Sequence, residues 1–91
     1  MADFIHAREY LDDGDVVIVN CDYQCKVLVM DDSNFSSYQR GGQFRYHGGH
    51  YTRLPARIAV PHSDNWNTVI DLGGGRANIR YDISYIKRSA A

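Results

Sequence analysis

The residues best equipped for chemistry in this chain lie between Arg40 and Arg57. That stretch holds Arg40, Arg45, Arg53 and Arg57 together with His47, His50, Phe44, Tyr46 and Tyr51, and no acidic residue occurs from Ser33 to Ser63. Arginine binds phosphate or carboxylate through two parallel hydrogen bonds, and aromatic rings stack on bases or sugars. The combination suits an anionic, ring-containing ligand such as a nucleotide or single-stranded nucleic acid. Ligand binding is therefore expected at Arg40, Arg45, His47, His50, Tyr51, Arg53 and Arg57. The arginines would supply fixed positive charge and Tyr51 a stacking surface. The histidines would add donors that respond to pH near their ordinary pKa of about 6.5. A plainer arrangement uses the same residues: Phe44 and Tyr46 in the core, Arg45 and His47 on the wet face, and the arginines neutralising acids elsewhere.

Other groupings are weaker. His47-Gly48-Gly49-His50 has a metal-like spacing, but residues three apart on a straight strand point to opposite faces. Only a bulge at the glycines would bring the two rings to one ion. Asp12-Asp13-Gly14-Asp15 and Asp31-Asp32-Ser33-Asn34 offer oxygen ligands, yet neither matches a calcium loop, and Asx turns account for both. Gly73-Gly74-Gly75-Arg76 could cradle a phosphate in a backbone nest, but a strand rather than a helix is expected to follow it. Cys21 and Cys25 flank an expected turn without a Cys-x-x-Cys motif; they read as small apolar residues at strand ends, with a cross-turn disulfide sterically accessible. No Gly-x-Ser-x-Gly or His-Glu-x-x-His signature is present. No catalytic residue, metal or cofactor is expected.

The charge is unevenly spread. Residues 1–32 carry eight acids and two bases, whereas residues 33–91 carry eight bases and three acids, for a net charge of −1. Such segregation accords with an anionic partner, or with two halves of the chain that neutralise each other across a sheet. A slightly negative total and the lack of a groove-entering helix disfavour duplex DNA. The longest apolar runs, Val16–Val19 and Val27–Met30, are four residues each, far short of the roughly 20 that a membrane helix needs. With no basic and apolar leader after Met1, a cytoplasmic protein with free thiols is expected.

The elements that must position these residues are short strands. At 91 residues, with 44% hydrophobic and 23% charged, the chain suits one globular domain over 1–91 with a frayed tail at 87–91. Turn residues at Asp12–Asp15, Asn20–Gln24 and Gly73–Gly75 punctuate it. Val16–Val19 is β-branched throughout and apolar on both faces, as a covered central strand requires. Trp66, Thr68, Ile70 and Leu72 share one strand face. The clearest alternation sets Ile79, Tyr81, Ile83 and Tyr85 against Asn78, Arg80, Asp82 and Ser84. Gln43–His47 also alternates, before a bend or bulge at Gly48-Gly49. Residues 32–43 read as the longest irregular stretch, pinned by Phe35 and Tyr38. Phe4–Leu11 fits a short N-terminal helix nearly as well as a strand, and the strand is favoured because an obvious turn and strand follow. Seven strands at this spacing predict an all-β, single-domain antiparallel β-sandwich, jelly-roll-like or immunoglobulin-like.

Several strings extend the picture: His6-x-Arg8-Glu9-Tyr10-Leu11, Gly14-Asp15-Val16-Val17, Met30-Asp31-Asp32-Ser33-Asn34-Phe35, Tyr38-x-Arg40-Gly41, Phe44-x-Tyr46-x-Gly48-Gly49, Ile58-Ala59-Val60-Pro61, Trp66-Asn67 and Ile70-Asp71-Leu72-Gly73. Together, over nearly the whole chain, they resemble a bacterial family of small all-β domains of unknown function. Some of its members are fused to Toll/interleukin-1-receptor (TIR) type domains. The resemblance implies a sensing or recruiting module and carries over no site residues. The expected function is non-enzymatic recognition of an anionic small molecule or a protein partner, by a monomer or homodimer. The alternatives are a small hydrolase-type enzyme using His, Asp or Cys, and a structural oligomerisation module.

Overall fold

Seven strands and one helix make up the described part of the chain: β1 (Phe4–Leu11), β2 (Val16–Cys21), β3 (Cys25–Asp31), α1 (Asp32–Gln39), β4 (His47–Tyr51), β5 (Ala56–Ala59), β6 (Asp64–Asp71) and β7 (Tyr81–Ile86). The computed structural model describes residues 4–22, 24–71 and 80–87. The glycine nest at 73–76, the inward positions of Leu72 and Ile79 and the tail at 88–91 lie outside them. The strands form two sheets, one of four in the order β1-β6-β3-β4 and one of three in the order β5-β2-β7. Every pairing is antiparallel. The expected antiparallel β-sandwich is the fold.

Period-two alternation sets what lies between the sheets. Val17 and Val19 from β2, Val27 and Val29 from β3, Ala56 and Ile58 from β5, and Trp66 and Ile70 from β6 form the inner core with Leu11 and Val60. Ile83 and Tyr85 of β7 pack against it, while Asp82 and Ser84 face water and Tyr81, at the strand's start, is half exposed. The open choice at the N-terminus resolves as a strand, because Phe4 through Leu11 pair residue for residue with β6. Inward Ile5 and Leu11 then join the core.

The four-stranded sheet is buried on its outer face as well, which the irregular reading of residues 32–43 does not anticipate. Leu28, Met30 and Val69 form a second cluster there, covered by Phe4, Phe35, Tyr38 and Phe44. The cover is α1. Its residues are poor helix formers, but Asp31 caps it by accepting a 2.9 Å hydrogen bond from the Asn34 backbone N–H. Phe35 and Tyr38, three apart, put their rings on the same face. Tyr38 meets Phe4 edge to face at 5.4 Å and Phe44 at 5.1 Å. Its hydroxyl donates to Asp71 at 3.1 Å; burial, then the Asp71 charge, pushes the phenol up to about 12.

A polar chain ties α1 to the sheet. Asn67 is buried on the outer face of β6. Its amide nitrogen donates to Asp32 Oδ1 at 2.8 Å and to the Met30 carbonyl at 3.3 Å, and its oxygen meets His6 Nε2 at 2.8 Å. Arg8 grips the same Asp32 carboxylate with two bonds, at 3.0 and 2.7 Å. The Arg8 and Asn67 hydrogen bonds hold the Asp32 carboxyl down at about 2, below its usual 3.8.

Strand β4 departs from expectation in two ways. The alternation over Gln43–His47 does not form a ladder, since pairing with β3 begins at His47. Gly48-Gly49 is no bulge either: each pairs with one residue of β3, Leu28 and Val27. The glycines serve a different need. Gly48 has φ +117°, and a Cβ there would lie 2.3 Å from the Val27 carbonyl oxygen, so a side chain would push the edge strand off its neighbour.

Three stability outcomes follow from this packing. Gly48→Ala is expected to cost about 3 kcal/mol by denaturant unfolding, and Gly49→Ala less, because a Cβ there meets nothing within 4 Å. Thr68 carries a buried hydroxyl with no hydrogen-bond partner among the described residues, so the isosteric Thr68→Val is expected to gain about 1 kcal/mol. Asp32 has a lowered folded pKa, so its contribution is present above about pH 4 and is lost as pH falls toward about 2. Half exposure at the Arg8 pair keeps that contribution to about 1 kcal/mol at neutral pH. The melting temperatures of the wild type and Asp32→Asn should therefore converge on acidification.

Candidate functional site

At one end of the sandwich, the last residues of β3 and the first residue of β4 open onto a cleft. It has a volume of about 640 Å³ and is lined by Met30, Asp31, Asn34, Phe44, Arg45, Tyr46, His47, His62 and Trp66. Strand register assembles it: Asp31 lies opposite Trp66 in the β3–β6 ladder, and Val29 lies opposite His47 in the β3–β4 ladder. Residues far apart in sequence are thus brought to one rim.

Trp66 forms the floor. It is almost wholly buried, and its indole N–H donates to the His62 carbonyl at 3.0 Å. The His62 ring lies 5.0 Å from the indole, centroid to centroid, and the His47 ring 5.8 Å. His62 also approaches Asp64 at 3.5 Å. Across the cleft, Phe44 and Tyr46 sit 5.7 Å apart in a tilted pair.

Asn34 holds the loop that carries these rings. Its side-chain nitrogen donates to Asp31 at 2.9 Å, and its side-chain oxygen accepts the Arg45 backbone N–H at 2.8 Å. The capping carboxylate of α1 therefore also fixes where Arg45 leaves the loop. A second hollow, of about 630 Å³, is lined by Asn34, Gly42, Gln43, Phe44 and Arg45, so Arg45 stands between two concave surfaces.

The seven residues expected to bind ligand do not all meet. Arg45 and His47 line the cleft. Arg40 is the exposed C-cap of α1. His50 lies toward the other end of β4, where its ring meets Gln24 at 3.3 Å. Tyr51 packs against the inner core. Arg53 is exposed in the β4–β5 connection, and Arg57 is exposed on β5 between the buried Ala56 and Ile58. His47 and His50 stay apart because β4 runs without a bulge. Among the described residues, no group of three or more His, Cys, Asp or Glu is placed to hold a metal ion.

His62, Trp66 and Asn34 are cleft residues that the expected site lacks. The alternation that puts Trp66 on one face of its strand agrees with its burial but does not mark it as a cleft floor. Among the described residues the ion pairs are Arg8–Asp32, His62–Asp64 and Lys87–Glu9. None of them uses Arg40, Arg45, Arg53 or Arg57, so the basic stretch is not consumed in neutralising the acidic first third.

The His62–Asp64 contact invites comparison with a catalytic dyad. The adjacent Ser63 hydroxyl does not join it: it accepts the Asp13 backbone N–H at 3.0 Å and donates to Asp12 at 3.4 Å. Cys21 and Cys25 lie in different sheets at the β2–β3 crossover, against each other rather than beside a histidine. No described helix is long and apolar enough to cross a membrane.

No curated protein and no solved structure matches the chain. One family model, described as a domain of unknown function (DUF1883), matches residues 2–89. That span is nearly the whole chain, and the chain belongs to the DUF1883 family.

Proposed function

We propose that this domain is a non-enzymatic recognition module whose cleft takes a small anionic ligand bearing a planar ring. The observation that carries this reading is the lining itself: one arginine and two histidines around a floor and wall of three aromatic rings, Trp66, Phe44 and Tyr46, with one carboxylate, Asp31, which is held by the N–H groups of Asn34. Concave, partly apolar surfaces with a few converging polar groups are the usual form of small-molecule sites. Arg45 supplies the charge. Its backbone is tethered through Asn34, and its guanidinium enters no ion pair among the described residues. A phosphate or carboxylate could take both of its parallel donors. Tyr46 and Phe44, the more exposed rings, supply stacking area worth about 1–3 kcal/mol per base in nucleic-acid sites. The narrower set, Arg45, His47, His62, Tyr46 and Trp66, replaces the broader basic stretch as the site. A recognition role also accords with the resemblance to a bacterial family having TIR-fused members, which implies sensing or recruitment.

Trp66 is the chain's one tryptophan, so intrinsic fluorescence reports on the cleft directly. Titration with a nucleoside monophosphate should change that fluorescence saturably. The neutral nucleoside and inorganic phosphate, each offering half of the recognition, should bind more weakly. Arg45→Ala should raise the nucleotide Kd about tenfold or more, the loss of a charge-assisted contact worth about 1.5 kcal/mol. Identical titrations for Arg45→Ala and the wild type, or no response to any of the three probes, would remove the reading.

A further inference from the structure

At the end of the sandwich where β2 hands over to β3, two thiols touch. Cys21 closes β2 in the three-stranded sheet and Cys25 opens β3 in the four-stranded sheet. Both are free, and their Sγ atoms are 2.9 Å apart. The chain reverses between them, and Asp22 secures that reversal against the start of β7. The Asp22 backbone N–H donates to the Arg80 carbonyl at 3.0 Å, and the Asp22 carboxylate accepts the Arg80 backbone N–H at 3.2 Å.

The two sulfurs differ in access. Cys25 is buried in the inner core, with Tyr51 opposite it in the β3–β4 ladder. Cys21 is only partly buried and lines a shallow hollow of about 230 Å³ with Asn20, Asp22, Arg80, Tyr81 and Asp82. Cys21 is the more accessible of the two thiols and Cys25 the more buried.

We propose that Cys21 and Cys25 form a reversible redox pair, in which Cys21 is the entry thiol for a low-molecular-weight disulfide and Cys25 is the resolving thiol. The chemistry is two successive exchanges. Cys21 gives up its proton to solvent, and its sulfur attacks one sulfur of the small disulfide. The small S–S bond breaks, one thiolate leaves and is protonated, and a mixed disulfide remains on Cys21. Cys25 then loses its proton and attacks Cys21 Sγ, expelling the second small thiolate. Two protein thiols are oxidised by two electrons, and the small disulfide is reduced to two thiols. The product links the two sheets covalently where no ladder joins them.

Burial, then the hydrogen bond with Cys25, pushes the Cys21 thiol up to about 12. The first exchange therefore speeds as pH rises, and the second gains from the proximity of the two sulfurs. This inference is independent of the aromatic cleft.

The test uses the full chain in glutathione buffers of graded oxidised-to-reduced ratio, quenched in acid, alkylated and read by intact mass and peptide mapping. The wild type should lose both alkylatable thiols together, lose the mass of two hydrogen atoms, show one Cys21–Cys25 link and revert with dithiothreitol. Cys25→Ser should instead trap one glutathione on Cys21, and Cys21→Ser should leave Cys25 unmodified. Independent loss of the two thiols, glutathione found on Cys25, or no internal link under excess oxidised glutathione would overturn the proposal. Should either variant fail to fold, the wild-type map alone decides.

Discussion

Over Val27–Met30 of β3 and Trp66–Ile70 of β6 both faces are buried, and most of this molecule's construction answers that constraint. Their inward residues, Val27, Val29, Trp66 and Ile70, meet the three-stranded sheet. Their outward residues, Leu28, Met30 and Val69, would face water if the sandwich were only two layers. A third layer is needed, and α1 with Phe4 and Phe44 provides it. The helix is an unpromising one by composition, holding three serines in its span with Asp31 before it. What stabilises it is mostly the apolar surface it removes from water, since short helices draw little from intrinsic propensity. Asn67, the polar residue of that covered face, is tolerable because both ends of its amide are bonded.

The candidate site is a by-product of the same arrangement. Holding α1 over the outer face requires Asp31 at the helix start and Asn34 within the first turn. The latter binds the Arg45 backbone, so the loop of residues 42–46 is drawn to the rim where Trp66 and His62 already lie. Structural hydrogen bonds and the proposed recognition group thus share one short chain of contacts. A group held by its backbone in this way is pre-organised, and less entropy is lost when a ligand orders its side chain. Two acids stand nearby: Asp31 lines the cleft while it caps the helix, and Asp64 lies against His62. Arg45 is the one fixed positive charge among the lining residues, set against the Asp31 carboxylate.

Alternation in the sequence marks the strands that have a wet face or a long period-two run. Ile83 and Tyr85 against Asp82 and Ser84 are legible because one face of that strand differs from the other in chemistry, whereas Phe4–Leu11, with Glu9 on the inward side and Tyr10 on the outward, reads nearly as well as a short helix. The helix was not legible because its signals are sparse. One capping aspartate and two rings three apart look the same in a loop pinned by aromatic residues. Gly48-Gly49 misled for a related reason: glycine marks a position where a side chain will not fit, without saying whether a bulge or a close neighbour is the cause. The one-to-one ladder with β3 rules out the bulge, and the Val27 carbonyl at the site of the missing Gly48 Cβ supplies the close neighbour.

Composition and period therefore determined the class of this protein: all-β, antiparallel, two sheets around a valine-rich interior, with a basic and aromatic middle third. They did so because burial of alternate side chains is a local property of a strand. Which of those basic residues stand together was decided by the tertiary structure alone. His47 and Trp66 are 19 positions apart in the chain and meet because each is registered to the end of β3, whereas His47 and His50 are close in the chain and diverge along an unbulged strand. Register is a long-range choice made by whole ladders, and no short window of sequence contains it.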